Sequence, residues 1–198
     1  MAQSDPISGG SVDTFPLLLL RHAREQGRRI AIREKDLGIW QSWTWAQVAN
    51  EVRALACGLA AQGFRRGMNL AIIGDNRPRL YWSFAAAQCL GGVPVPMYQD
   101  AVAQEMLFVL DNAEIEYAIV EDQEQVDKLL EILPQYPNLK HIFYDDPRGL
   151  RQRRREVPLE FLHQFGRKAR HGAEIETGGI ATLSSRRSAS TSSSCRST

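Results

Sequence analysis

The run Leu70-Ala71-Ile72-Ile73, bounded by Asn69 and Gly74, contains no polar residue. A strand with one wet face alternates apolar and polar side chains, so a strand without that alternation needs cover on both faces, as in a parallel sheet flanked by helices. The neighbouring segments offer such cover. Residues 45–62 place Val48, Val52, Leu55, Ala56 and Leu59 at three- and four-residue steps ahead of Gly63, which predicts an amphipathic helix with a glycine stop. Asp75-Asn76-Arg77-Pro78 then turns into a predicted helix over 79–90, and Gly91-Gly92 precedes a short strand over 93–98. The cycle continues with helix 101–112, strand 117–120, helix 123–133 and strand 140–144. Strand and helix alternate four times, so the expected fold class is α/β, a mainly parallel sheet with right-handed crossovers and flanking helices.

Ahead of this core, residues 1–13 are rich in Ser, Gly and Asp and are expected to form a disordered leader. Asp13 or Thr14 caps a predicted helix that starts at Phe15-Pro16, carries Leu17, Leu18, Leu20 and Ala23 on its buried side, and ends at Gly27. Residues 29–32 and 39–45 alternate around Asp36-Leu37-Gly38, the pattern of a tight hairpin that gathers Trp40, Trp43 and Trp45 to pack on the following helix. Beyond Pro147 the periodicity stops. Residues 151–155 hold four arginines, residues 161–165 form a brief apolar patch, and eight of the fifteen residues from 184 to 198 are serine. Such a tail buries too little apolar surface to offset the entropy of ordering it, so 151–198 is expected to be disordered and 14–150 to be the folded part.

Charge follows the same division. Residues 151–198 carry ten Lys/Arg against four Asp/Glu, leaving fourteen against nineteen in residues 1–150, so an acidic body and a basic tail sum to a net +1. An acidic body argues against nucleic acid as a partner, and Arg151, Arg153, Arg154 and Arg155 lack interleaved aromatics for base stacking. Apolar runs in the sequence, such as Leu17 to Leu20 with Phe15 and Pro16 before it, fall far short of the ~20 residues of a transmembrane helix, so no such segment is expected. Cys57, Cys89 and Cys195 show no paired or metal-type spacing, and the first two are expected to be small buried thiols in a reducing cytoplasm.

Candidate chemistry is sparse. His22, His141, His163 and His171 have no metal-ligand spacing, and neither a nucleophile elbow nor a glycine-rich phosphate loop is present. Gly91-Gly92 fits a tight helix-to-strand turn, and the 75–78 loop, which offers a carboxylate, an amide and a guanidinium at the carboxyl end of a strand, is read as a local side-chain-to-backbone turn in which Pro78 starts the helix in preference to a substrate-binding loop. The carboxylates Glu114, Glu116, Glu121, Asp122, Glu124 and Asp127 flank one strand and open a helix, where the helix dipole favours them. No residue is assigned a catalytic, cofactor-binding or metal-binding role.

Four blocks carry a family resemblance. They are Ile39-Trp40-Gln41-Ser42-Trp43-Thr44-Trp45, the stretch from Gly67 to Pro78, Gly91-Gly92-Val93-Pro94-Val95-Pro96-Met97-Tyr98-Gln99, and the stretch from Val120 to Leu130. In order and spacing the chain resembles, over about residues 15–150, the amino-terminal region of AMP-forming long-chain fatty acid–CoA ligases of the acyl-adenylate superfamily. The likeness implies a complete enzyme in which a fatty acid carboxylate attacks the α-phosphate of ATP to give acyl-AMP and pyrophosphate, and the CoA thiol then displaces AMP. Such chemistry takes ATP, Mg²⁺ and CoA and needs a cationic cradle for the phosphates.

In that family the cradle reads Tyr-Thr-Ser-Gly-Thr-Thr-Gly-x-Pro-Lys-Gly, and the 198 residues contain no such loop, nor the later aromatic-Gly-x-Thr-Glu block. The expected function is therefore an amino-terminal ligase fragment that is inactive alone and binds no cofactor of its own. The alternative is a non-catalytic module that pairs with a full-length ligase through an exposed sheet edge. A basic, Ser-rich tail after a family-like body also matches a reading-frame shift or a mispredicted gene end. Cytoplasmic residence, at most peripheral to a membrane, and self-association of an incompletely covered sheet complete the expectations.

Overall fold

The computed structural model describes residues 14–150 and the backbone of Leu159–Phe161; the expected leader and most of the expected tail lie outside the described residues. The apolar run forms β3 (Asn69–Ile73), and Leu70 to Ile73 are all buried. Period-two geometry divides them between two cores. Leu70 and Ile72 face one cluster together with Tyr117, Ile119 and Phe143, while Ala71 and Ile73 face a second cluster with Ala118, Val120, Ile142 and Tyr144.

Around β3 the chain contributes α1 (Phe15–Glu25), β1 (Ile30–Asp36), β2 (Ile39–Thr44), α2 (Trp45–Ala61), α3 (Pro78–Cys89) and β4 (Val93–Met97). After β4 come α4 (Ala103–Asn112), β5 (Tyr117–Val120), α5 (Gln123–Ile132), β6 (His141–Tyr144) and β7 (Leu159–Phe161). Five strands make one sheet in the order β4-β3-β5-β6-β7, each neighbouring pair parallel. Helices α2 and α3 cover the first cluster, and α4 and α5 the second. The chain steps outward from β3 to β4 over one face and returns past β3 to β5 over the other, so the strand order reverses between β3 and β5. The expected parallel α/β fold is present, with the helices and strands of its repeating core within one or two residues of their expected bounds, whereas hairpin strand β1 runs four residues past the expected 29–32, to Asp36, where it pairs with Ile39 across the turn.

Local chemistry fixes the joints. Thr44 caps α2 reciprocally: its hydroxyl accepts from the Gln47 N–H at 3.3 Å, and the Gln47 amide oxygen accepts from the Thr44 N–H at 2.8 Å. The hairpin turns on Leu37 and Gly38, both with positive φ (48° and 82°), as a two-residue connection between right-twisted strands requires. At Gly92 an added Cβ would lie 2.5 Å from the Phe64 ring and 2.9 Å from the Met68 carbonyl, so this joint needs glycine for close approach as well as for the turn.

Three expectations change. Helix α1 forms as expected, but Leu17 and Leu20 are exposed and the side chains turned inward are Leu18, Leu19, His22 and Ala23; the helix leans on its neighbours with no fully buried residue. The ring of His22 stacks on that of Trp45 at 4.6 Å between centroids, and Trp45 itself begins α2 and does not extend the hairpin. Cys57 is half-buried and Cys89, the last residue of α3, is exposed; neither is the buried thiol expected. Finally, β7 pairs with β6 in a stretch where the sequence offered no strand pattern. Of the tryptophans, Trp43 meets Trp82 edge-on at 5.5 Å while Trp40 stays exposed. Among the described residues no helix is long and apolar enough to cross a membrane.

Candidate functional site

Open α/β sheets bind ligands at the carboxyl ends of their strands where the strand order reverses, here between β3 and β5. Strand β3 leaves the sheet through Gly74, which has φ of 153° and stands so close to its neighbours that an added Cβ would lie 2.6 Å from the Glu121 Cβ and 2.6 Å from Leu80 Cδ1. Glycine at this position lets Glu121, the residue after β5, lie directly over the exit of β3. The Glu121 N–H donates to the Ile73 carbonyl at 3.0 Å, and its carboxylate accepts from the Asp75 N–H at 2.6 Å and from Arg77 Nε at 2.9 Å.

Arg77 spans two elements. Its other branch donates to Glu34 of β1 at 3.0 Å, so one guanidinium ties the hairpin to the switch point. These two carboxylates, Glu121 first, raise the pKa of Arg77 above the ordinary arginine value and keep it charged. Next to it, Arg79 donates to Asp145, which follows β6, at 2.6 Å. Burial pushes the Asp145 carboxyl above its ordinary value, and the nearby Arg79 opposes that shift without cancelling it. Asp146 has the opposite character: hydrogen bonds from Arg148, including one from Nε at 2.6 Å, hold its carboxyl below the ordinary range.

Loop 74–77 therefore separates two clefts. One, of about 600 Å³, opens between the hairpin and the ends of β5 and β6 and is lined by Glu34, Asp36, Arg77, Arg79, Glu121 and Asp145, among others. The other, of about 620 Å³, lies between α3 and the end of β4 and presents Asp75, Asn76, Tyr81, Phe84 and Tyr98. In the latter the Tyr81 hydroxyl donates to the Asn76 side-chain oxygen at 2.8 Å, which pins the loop against α3.

The expected local turn is present in part. The Asn76 N–H donates to the Asp75 carboxylate at 2.7 Å and Pro78 begins α3, but Arg77 reaches far beyond the loop. The acidic group around β5 also divides. Asp122 caps α5 by accepting from the Gln125 N–H at 3.3 Å, Glu124 lies in the first turn of that helix, and Glu116 pairs with Lys140, all structural uses. Glu121 alone of the six joins the switch-point network. Gly91-Gly92 serves the turn, as expected. Sequence reasoning missed Glu34, Arg79 and Asp145, whose partners lie 43 to 66 residues away.

A triphosphate needs free cations, and this site does not fit one. Glu34, Asp36, Glu121, Asp145 and Asp146 outnumber Arg77, Arg79 and Arg148, and each of these guanidiniums already holds a carboxylate. Among the described residues no group of three His, Cys, Asp or Glu side chains is arranged to hold a metal ion. What the arrangement does is mechanical: it fixes the hairpin, the 74–77 loop and the ends of three strands to one another.

Comparison with known proteins gives these observations a context. The family model described as AMP-binding enzyme matches residues 19–167, reaching past Leu150 and through β7. The long-chain-fatty-acid–CoA ligase FadD15 of Mycobacterium bovis is 25% identical over 139 residues, covering 69% of this chain and 23% of its own length. An uncharacterized protein of Mycobacterium tuberculosis is 35% identical over 89 residues, 45% of this chain and 50% of that protein, which is itself a short chain. Among solved structures, the anthranilate CoA ligase AuaEII, in complex with anthranoyl-AMP, superposes with a TM-score of 0.67 at 20% identity over 77% of this chain and 27% of that one. The N-terminal domain of FACL13 from Mycobacterium tuberculosis gives 0.60 at 22% identity, covering 77% and 35%. The chain thus spans about a quarter of the length of the ligases it matches.

Proposed function

The chain belongs to the AMP-binding enzyme family, and from that premise we propose that it is the amino-terminal portion of a long-chain fatty acid–CoA ligase whose 198 residues do not carry out the ligation alone. The complete enzyme would join a fatty acid to CoA at the expense of ATP, through an acyl-adenylate. Support for the inactivity of this polypeptide comes from the charge at the switch point, where every guanidinium lining the hairpin-side cleft is committed to a carboxylate and carboxylates are in excess. Adenylation develops negative charge on the transferring phosphoryl group, and a site of this sign raises the barrier to that step where a cationic cradle would lower it. The missing Pro-Lys-Gly loop agrees with that reading.

ATP–pyrophosphate exchange tests it. Purified 198-residue chain with palmitate, Mg²⁺, ATP and labelled pyrophosphate is expected to give exchange no higher than the protein-free blank; exchange that depends on palmitate would refute inactivity. A second reading, pairing with a full-length ligase, draws support from the exposed aromatic side chains Tyr81 and Tyr98 beside the α3–β4 cleft. Co-purification with a full-length ligase at fixed stoichiometry, lost on Tyr98→Ser, is the outcome this reading expects, and no co-purification would end it.

A further inference from the structure

Strand β4 reads Val93-Pro94-Val95-Pro96-Met97 and, among the described residues, has one strand neighbour, β3. Its phase is set at its first residue: the Val93 N–H donates to the Met68 carbonyl at 3.0 Å, and the parallel register runs from Asn69 opposite Val93 to Ile73 opposite Met97. In a parallel ladder successive residues turn their N–H and C=O groups to alternate sides. Residues 93, 95 and 97 therefore address β3, and positions 94 and 96 address the outer edge. Both outward positions are proline, which has no N–H to offer.

We infer that the outer edge of β4 is closed to strand addition, so that neither a second copy of this chain nor any extended peptide lengthens the sheet on that side. An approaching strand meets only the carbonyls of Pro94 and Pro96, and its own carbonyls find no donors. Prolines at the two inward positions would instead have broken the pairing with β3; their placement at alternate positions keeps the inner ladder whole and blanks the outer one. The inference is independent of whether the polypeptide is catalytically active. It removes the β4 edge as the route of pairing or self-association and leaves side-chain packing, such as that available at Tyr81 and Tyr98, as the means by which a partner would bind this side.

Hydrogen exchange on the full 198-residue chain tests the phase. The amides of Val95 and Met97 are expected to exchange slowly, like those of β3; exchange at the rate of an exposed loop would overturn the inference. Restoring the outward donors tests the consequence. The variant Pro94→Val/Pro96→Val, with its circular dichroism unchanged, is expected to assemble at about a thirtyfold lower protein concentration than wild type in light scattering, the equivalent of two added hydrogen bonds. An unchanged onset of assembly would overturn it. A variant that fails to fold leaves the decision to the exchange rates of the wild-type chain.

Discussion

The interior of the sheet and its carboxyl end are built by different forces. In β3 and β5 every core position is apolar, the residues from Tyr117 to Val120 are buried, and each strand is covered on one face by the two helices adjacent to it in sequence and on the other by the remaining pair. At the carboxyl end these strands release Gly74, Asp75 and Glu121, and β6 releases Asp145, into a charged network that ties together residues from four separate parts of the chain. Burial of apolar area scales with what each strand carries itself, whereas an ion pair exists only if its distant partner arrives. The interior is consequently where this chain stores its stability, and the carboxyl end is where it stores its geometry.

Truncating the interior should cost most. Ile119 is fully buried in the α2–α3 cluster, and Ile119→Ala is expected to lose about 2–5 kcal/mol in urea unfolding. A loss below about 1 kcal/mol would mean that the sheet is not the main store of stability. Glu121→Ala, which frees the Asp75 N–H and one arm of Arg77, is expected to cost less, about 1–3 kcal/mol. The same cycle with Glu34→Gln should be non-additive, because both carboxylates share Arg77; additivity would show that the network is not coupled.

Acid titration separates the two aspartates. Asp146, held below its ordinary value of 3.8 by Arg148, contributes stability that is present above 3.8 and lost as pH falls through its lower folded value. Asp145, raised by burial, contributes stability that is present below 3.8 and lost as pH rises through its raised folded value. Asp146→Asn should therefore flatten the acid limb of the stability profile, and Asp145→Asn should flatten the limb above 3.8; the same change in both variants would contradict the assignment. The smallest effect is a gain. Leu37 is exposed with φ of 48°, so Leu37→Asn, which tolerates that backbone, is expected to raise stability by about 0.5–1 kcal/mol.

The same contrast explains what the sequence made legible. Periodicity located every helix and strand of the repeating core, because burial on one or two faces writes itself into neighbouring residues. It misjudged α1, whose leucines leave two faces plausible until α2 and α3 choose Leu18 and Leu19, and it missed β7, whose three residues Leu159-Glu160-Phe161 alternate over too short a run to mark a strand by themselves. The switch-point network was invisible for a related reason. Nothing within Arg77-Pro78-Arg79 announces that the two arginines point to Glu34, Glu121 and Asp145, since the pairing is decided by the strand order.

That the switch point of this polypeptide is a structural network whose guanidiniums are all held by carboxylates, and not a phosphate cradle, is tested by equilibrium binding of Mg²⁺–ATP to the 198-residue chain, followed with a fluorescent ATP analogue. No saturable binding is expected, and no change in Arg77→Ala or Arg148→Ala. Saturable binding that competes with unlabelled ATP and weakens in either variant would contradict it.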